Sequence, residues 1–308
     1  MMQKRLISLM LAALLTLFAL ASCGDGGKTD TNDTDGTQNE SETDTFADTS
    51  VGEPDLYASV SDLKITFNGN SISVNEDDLG VQIDGNTVTL RASGKYTFSG
   101  TLDDGSIIVE AAKTDKVELV FDGVNITNSK SAPLYIKSCD KVTIILADGS
   151  ENILTDAAKY ELPYGEDKPN ACLYSSEDID FEGAGTLIVN GNYNNGIGSK
   201  NDIDIECGII EVRAVNNAIK GNDSVSILGG TVRIIGADDG IKSDTETDPS
   251  KGFVRIEGGE VEITADDDAI QAYTSVSITG GKVITNAGGN AVNCDGSVTL
   301  AEGILTEN

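Results

Sequence analysis

A chain of 308 residues with 51 acidic and 21 basic side chains has a formal charge of −30, and it contains neither histidine nor tryptophan. Without imidazole, Ser-His-Asp and Cys-His catalysis and most zinc sites are excluded. The negative charge argues equally against nucleic acid and anionic membrane surfaces as partners.

Lys4 and Arg5 precede an apolar run from Leu6 to Leu20, and Ala21 and Ser22 are small. This is the layout of a secretory signal peptide over residues 1–22. The ending Leu20-Ala21-Ser22-Cys23 resembles a bacterial lipobox, in which Cys23 would become the lipidated first residue. An ordinary secretory signal with an incidental cysteine is the alternative. No other apolar run is long enough to span a bilayer. Residues 23–57 are rich in Asp, Glu, Thr, Ser, Asn and Gly. Such a segment buries too little apolar surface to offset its chain entropy, and is expected to be a solvated tether. The expected location is extracytoplasmic, at the cell surface, with the lipid on Cys23 as membrane anchor.

Residues 58–308 are expected to form one all-β domain. The first half contains strand-type runs at Thr87–Leu90, Lys95–Phe98, Ile107–Val109, Val117–Val120 and Val142–Ile145. Turns such as Asp84-Gly85-Asn86 and Asp103-Asp104-Gly105 separate them. Residues 155–171, with Pro163 and Pro169, are expected to form a surface loop. The wide spacing of these early strands also allows a β-sandwich followed by a short solenoid.

The second half repeats. Asn194-Asn195-Gly196-Ile197, Asn216-Asn217-Ala218-Ile219, Asp238-Asp239-Gly240-Ile241, Asp267-Asp268-Ala269-Ile270 and Gly289-Asn290-Ala291-Val292 place their apolar anchors at intervals of 22, 22, 29 and 22 residues. The long interval holds a polar insertion around Thr245–Pro249. One such unit cannot bury its own apolar face; stacked units can, as a parallel β-solenoid with coils of roughly 22 residues. Three inward columns are expected: Ile205, Ile227, Ile256, Ile278 and Leu300; Ile210, Val232, Val261 and Val283; Val212, Ile234, Ile263 and Thr285. About eleven coils at ~4.8 Å each would make a rod of about 50 Å. Glu211, Arg233 and Glu262 align outward as a surface charge ladder. Cys139, Cys172, Cys207 and Cys294 show no metal spacing and fall on separate coils, which favours free thiols over disulfides.

The residue pairs before the anchors change from Asn to Asp along the chain. Stacked asparagines satisfy one another and need no ligand. Stacked aspartates do not. Asp239 over Asp268, and Asp238 over Asp267, would lie about 4.8 Å apart, where two carboxylates repel by about 1–3.5 kcal/mol for dielectrics of 80 to 20. Asp266 adds a further charge. A hard cation with oxygen ligands, calcium above all, would relieve the conflict. Ion pairing with Lys220 and Lys242, or plain solvation, are the alternatives. Tyr193 and Tyr273 are candidates for stacking on sugar rings, as are Tyr160 and Tyr164, while Tyr135 and Tyr174 are expected to meet on neighbouring coils.

Several segments resemble a known family. They include Gly94-Lys95-Tyr96-Thr97-Phe98-Ser99-Gly100, Asp122-Gly123-Val124-Asn125-Ile126, Asn190-Gly191-Asn192-Tyr193-Asn194-Asn195-Gly196-Ile197, and Asp238-Asp239-Gly240-Ile241-Lys242-Ser243-Asp244. They are similar to the bacterial carbohydrate-binding β-helix family first described from a cellulose-degrading clostridium. The resemblance covers residues 58–308. It implies a right-handed parallel β-helix like that of polysaccharide lyases, bound calcium, and binding of cellulose and of acidic pectin such as polygalacturonate, without lyase activity. It matches Asp238, Asp239, Asp267 and Asp268 to the family's acidic motif, with Lys220 and Lys242 beside it. The expectation is therefore a monomeric, non-catalytic polysaccharide-binding lipoprotein. A calcium-dependent pectate-lyase-like enzyme using Arg233, Arg255, Lys220 or Lys242 as base, and a structural adhesin, are the competing readings.

Overall fold

The computed structural model describes residues 60–76, 80–161 and 168–308. The expected signal peptide, Cys23, the tether, Pro163 and Tyr164 lie outside the described residues. The described residues form strands and turns, with no helix.

The strands fall into an eighteen-stranded and a ten-stranded sheet. Within the larger sheet, two parallel ladders run side by side. One stacks Lys141–Leu146, Asp178–Gly183, Asp202–Ile205, Ser224–Ile227, Phe253–Ile256, Ser275–Ile278 and Ser297–Leu300. The other stacks Glu151–Thr155, Thr186–Asn190, Ile209–Arg213, Thr231–Gly236, Glu260–Ala265, Lys282–Ala287 and Leu305–Glu307. Lys116–Thr127 joins the two ladders, pairing with Lys141–Leu146 along its first half and with Glu151–Thr155 near its end. The ten-stranded sheet is a third wall. It runs through Ala171–Ser175, Asn195–Ser199, Ile219–Gly221, Ile241–Ser243, Ile270–Ala272 and Val292–Cys294. From Thr87 onward, consecutive strands along the chain belong to different walls, so the backbone winds around one core as a parallel solenoid.

The first half belongs to the same walls. Val60–Gly69 pairs in parallel with Gly94–Leu102, and that strand with Lys116–Thr127. This excludes a separate β-sandwich. Two antiparallel pairings occur near the start: Ile72–Val74 against Val60–Gly69, and Val81–Asp84 against Thr87–Leu90. Val81–Asp84 is the edge strand of the third wall, so the wall starts with a hairpin strand of four residues and presents only a short edge there.

Alternation of side chains fills the interior. Ile205, Ile227, Ile256 and Ile278 are fully buried in register, as are Ile210, Val232, Val261 and Val283. Ile197, Ile219, Ile241 and Ile270 complete the third side. Each such side chain contributes about 1.5–3 kcal/mol by leaving water. Leu300, placed by its register at the end of the first column, is instead 46% exposed. No following coil covers it among the described residues. In the first half, Phe67, Phe98 and Phe121 form a buried stack, with centroids 5.8 and 6.2 Å apart. One turn corner is set by Gly208, Gly230, Gly259 and Gly281, all at φ between 74° and 88°, where a Cβ would be strained. The four described cysteines form no disulfide.

Candidate functional site

The site begins at the turn that leads into the third wall. There, one side chain per coil points along the stacking axis and hydrogen-bonds the next coil. Asn195 Oδ1 accepts from the backbone N–H and Nδ2 of Asn217 at 3.2 and 2.8 Å. Further along, Asp239 Oδ1 accepts from the N–H of Asp268 at 3.3 Å, and Asp268 Oδ1 accepts from the N–H and Nδ2 of Asn290, both at 2.8 Å. The asparagine ladder is thus real, and the aspartates are inserted into it. Between Asn217 and Asp239 the ladder is interrupted: Asn217 Oδ1 is buried and accepts no hydrogen bond. A buried acceptor left in this state costs about 1–3 kcal/mol.

Asp239, Asp267 and Asp268 bring carboxylate oxygens within 4.8 Å of one another. Asp239 and Asp268 are 6% and 3% exposed, whereas Asp267 is open to solvent. Asp238, expected in the group, is exposed and lies outside this set of three. Asp266 is likewise exposed and outside it. The neighbouring Asp268 charge, then burial and Asp239, raise the Asp267 carboxyl above its ordinary value. Burial pushes the Asp268 carboxyl upward, but hydrogen bonds from Asn293 and Asn290 outweigh it and hold the group below its ordinary value.

Lys242 reaches Asp239 at 2.9 Å, so ion pairing relieves part of the repulsion. Three carboxylates and one ammonium still leave two uncompensated negative charges. Lys220 does not join them; it extends to Asp244 on the next coil at 2.6 Å. Gly289 occupies the position aligned with Asp267. A Cβ there would come 2.5 Å from Asp267 Oδ1 and 2.9 Å from Asp268 Oδ1. The missing side chain leaves a cradle against these oxygens. An oxygen-only donor set, surplus negative charge and this cradle fit a calcium ion. Asp239, Asp267 and Asp268 would hold it, and it would supply the missing positive charge.

Beside the acidic group, the outer face of the third wall forms a groove. One cavity of about 250 Å³ is lined by Lys242, Asp244, Gln271, Tyr273, Asn293 and Asp295. A second, of about 300 Å³, continues past Tyr273 to Glu246 and Pro249. The polar insertion forms this flank. Lys251 binds Asp223 at 2.7 Å, and Asp248 accepts from Ser250 N and Oγ at 2.9 and 2.7 Å. Tyr273 is 37% exposed, and its ring is available to the groove. Gln271 Oε1, inside the cavity lining, is buried without a hydrogen-bond donor.

Tyr193 belongs to a different feature. It stacks on Tyr160 at 4.2 Å and 18°. Tyr160 is buried, its hydroxyl fixed by Asp156 Oδ2 at 2.6 Å and Ala171 O at 2.9 Å. It therefore serves as core support and offers no open platform. Tyr135 and Tyr174 meet in register at 5.7 Å, as their similar Leu-Tyr dipeptides suggested. Arg233 pairs with Glu211 and Glu262 at 3.4 and 3.7 Å, which completes the expected ladder, while Arg255 pairs with Glu257. Both arginines lie in the eighteen-stranded sheet, away from the third wall. Sequence reasoning missed Gly289, Asn290 and Asn293 as partners of the aspartates. The register of the repeat was the one signal for the first two.

Fold and site define an all-β parallel solenoid with an acidic cluster and a polar groove on one wall. A family profile described as carbohydrate-binding domain-containing protein matches residues 84–307, and the chain belongs to this family. A carbohydrate-binding domain-containing protein of Acetivibrio thermocellus is 44% identical over 212 residues, or 68% of this chain. The aligned chain spans 65% of that relative's length. A solved structure, that of the polysaccharide lyase-like protein from C. thermocellum as a gadolinium derivative, is 47% identical with a TM-score of 0.78. The match covers 80% of this chain and 100% of that one.

Proposed function

We propose that this is a non-catalytic polysaccharide-binding protein of the cell surface, acting as a monomer. Its substrates are plant-type polysaccharides, cellulose and polygalacturonate, and calcium held by Asp239, Asp267 and Asp268 supports the solenoid. The winding is right-handed, with coils of roughly 22 residues. Lipidated Cys23 anchors the protein, and residues 23–57 space it from the membrane; Cys23→Ala should release it from membrane fractions.

Membership of the carbohydrate-binding family carries the reading. The groove beside Tyr273 supports it, because a partly exposed aromatic ring among amides and carboxylates suits a sugar's mixed apolar and hydroxyl faces. A calcium-dependent lyase is the second reading, favoured by the name of the lyase-like relative. Against it, Arg233 and Arg255 are engaged on other walls and Lys242 is tied to Asp239. A lyase base must reach the substrate's α-proton.

Isothermal titration with cellulose fragments and oligogalacturonate, with and without calcium, tests the proposal. Binding without turnover is expected. Absorbance of unsaturated uronate products from polygalacturonate and calcium would establish the lyase instead.

A further inference from the structure

The register of the third wall sets carboxylates on both sides of the Tyr273 ring. Ser243 pairs with Ala272, and Ala272 with Cys294, so Asp244, Tyr273 and Asp295 follow one another on successive coils. Strands stack at about 4.8 Å, close enough for one ligand resting on the ring to reach its neighbours. Glu246, from the polar insertion, adds a third carboxylate. Tyr273, Glu246 and Asp295 line both cavities, which makes the two parts of one groove.

Donors and acceptors in this groove are unevenly matched. Three of its donor side chains are committed inside the protein: Lys242 to Asp239 at 2.9 Å, Asn293 to Asp268, and the Ser243 hydroxyl to Asn222 O at 3.1 Å. Asp244 is paired with Lys220. The remaining acceptors are spare. Among the described residues, no cation pairs with Glu246 or Asp295, and Gln271 Oε1 is buried without a donor. Such an orphaned acceptor costs free energy until a donor reaches it. No described residue bonds the Gln271 side-chain amide, and a terminal amide torsion is soft, so a small rotation presents its oxygen to the groove.

Spare acceptors around one aromatic face call for a ligand rich in donors and free of negative charge. We infer that the Tyr273 groove is a subsite for a neutral sugar residue, and that Glu246 and Asp295 exclude uronates from it. The apolar face of the sugar lies on Tyr273, and its hydroxyls donate to Glu246, Asp295 and Gln271 Oε1. A uronate in the same place would set its carboxylate against two unpaired carboxylates, while the one ammonium of the lining stays on Asp239. The inference rests on the polysaccharide-binding reading and divides its two substrates: the neutral chain takes this groove, and the acidic chain binds elsewhere on the solenoid.

Calorimetric titration of the full chain with cellotriose and trigalacturonate, each with calcium and with chelator, tests this. Circular dichroism and thermal melts verify the fold of every variant. Tyr273→Ala should weaken cellotriose binding about tenfold or more. Gln271→Leu should weaken it about three- to tenfold and leave the melting temperature equal or higher, because the orphaned acceptor is gone. Trigalacturonate should not displace cellotriose from the wild type, and should displace it from Glu246→Gln with Asp295→Asn. Displacement from the wild type, with or without calcium, or none from the double variant, would overturn the exclusion. If wild type binds cellotriose and both Tyr273→Ala and Gln271→Leu bind it equally well, the groove is not the subsite, while the proposed function stands. Binding of trigalacturonate alone would end the neutral-sugar assignment and leave the acidic half of the proposed function. If wild type binds neither saccharide, the parent reading fails and this one with it.

Discussion

Gly289→Ala separates a calcium site from a merely acidic turn. The glycine does not occupy the left-handed region, so alanine suits its backbone, and the strain is local. The new Cβ would sit 2.5 Å from Asp267 Oδ1 and 2.9 Å from Asp268 Oδ1, inside any permitted contact. Asp267 is exposed and can rotate away, but Asp268 is buried and held by Asn290 and Asn293, so the metal-free fold should lose about 1–3 kcal/mol by overpacking. Rotation of Asp267 also removes a ligand from the set of three. For the wild type, calcium at about 100 times Kd should add about 2.7 kcal/mol, if only the native state binds. If the substitution weakens affinity about tenfold, the same calcium concentration adds only about 1.4 kcal/mol. For a domain of this size, 1 kcal/mol shifts Tm by about 2–4 °C. The wild type should then gain about 5–11 °C and the variant about 3–6 °C. Calorimetry of metal-stripped protein, with calcium and with chelator, reads the difference. Equal calcium responses in both proteins, or none in the wild type, would refute the site. Asp239→Asn with Asp268→Asn should abolish the response altogether.

Three further outcomes are expected. Phe98→Ala removes the middle ring of the buried stack between Phe67 and Phe121 and should cost about 3–5 kcal/mol in denaturant unfolding; a loss under about 1 kcal/mol would mean the stack is not packed as described. Burial raises the Asp156 carboxyl above its ordinary 3.8, only partly offset by hydrogen bonds from Tyr160 and the Asn192 N–H. The native state therefore holds this proton more tightly than the unfolded chain, and stability from this group falls as pH rises from 3.8 through the raised value. Unfolding of wild type and Asp156→Asn at about pH 4 and about pH 7 should show the variant gaining relative to wild type at the higher pH, and a constant difference would contradict this. Burial, with the Glu177 charge, pushes the Cys139 thiol up to about 12, and burial raises Cys172 as well. Both should resist thiol reagents until the protein unfolds, and rapid native labelling of either by mass spectrometry would show that its coil opens.

Much of this molecule was written in its periodicity. Strand alternation and a recurring interval fix which residues share a column, so Ile205, Ile227, Ile256 and Ile278 could be placed inside before any coordinates were known. The same register put Asp239 on Asp268 and Tyr135 on Tyr174, because identical positions in successive coils must be neighbours. The β-sandwich that the wide spacing of the early strands also allowed does not form; long strands such as Lys116–Thr127 span two walls and so hide the coil length.

Tertiary structure decided what lies off the column. Periodicity names the coil on which a side chain starts, but not where a flexible one ends. Lys242 turns back to Asp239, while Lys220 runs on to Asp244. Asp267 enters the acidic group and Asp238 does not, a difference set by the local turn and not by residue type. Asn293 reaches Asp268 from the adjoining strand, at a sequence distance no repeat announces. The burial of Tyr160 depends on Asp156 and Ala171 closing over its hydroxyl. Gly289 acts through the side chain it lacks, and an empty space acquires meaning only when the atoms around it are in place.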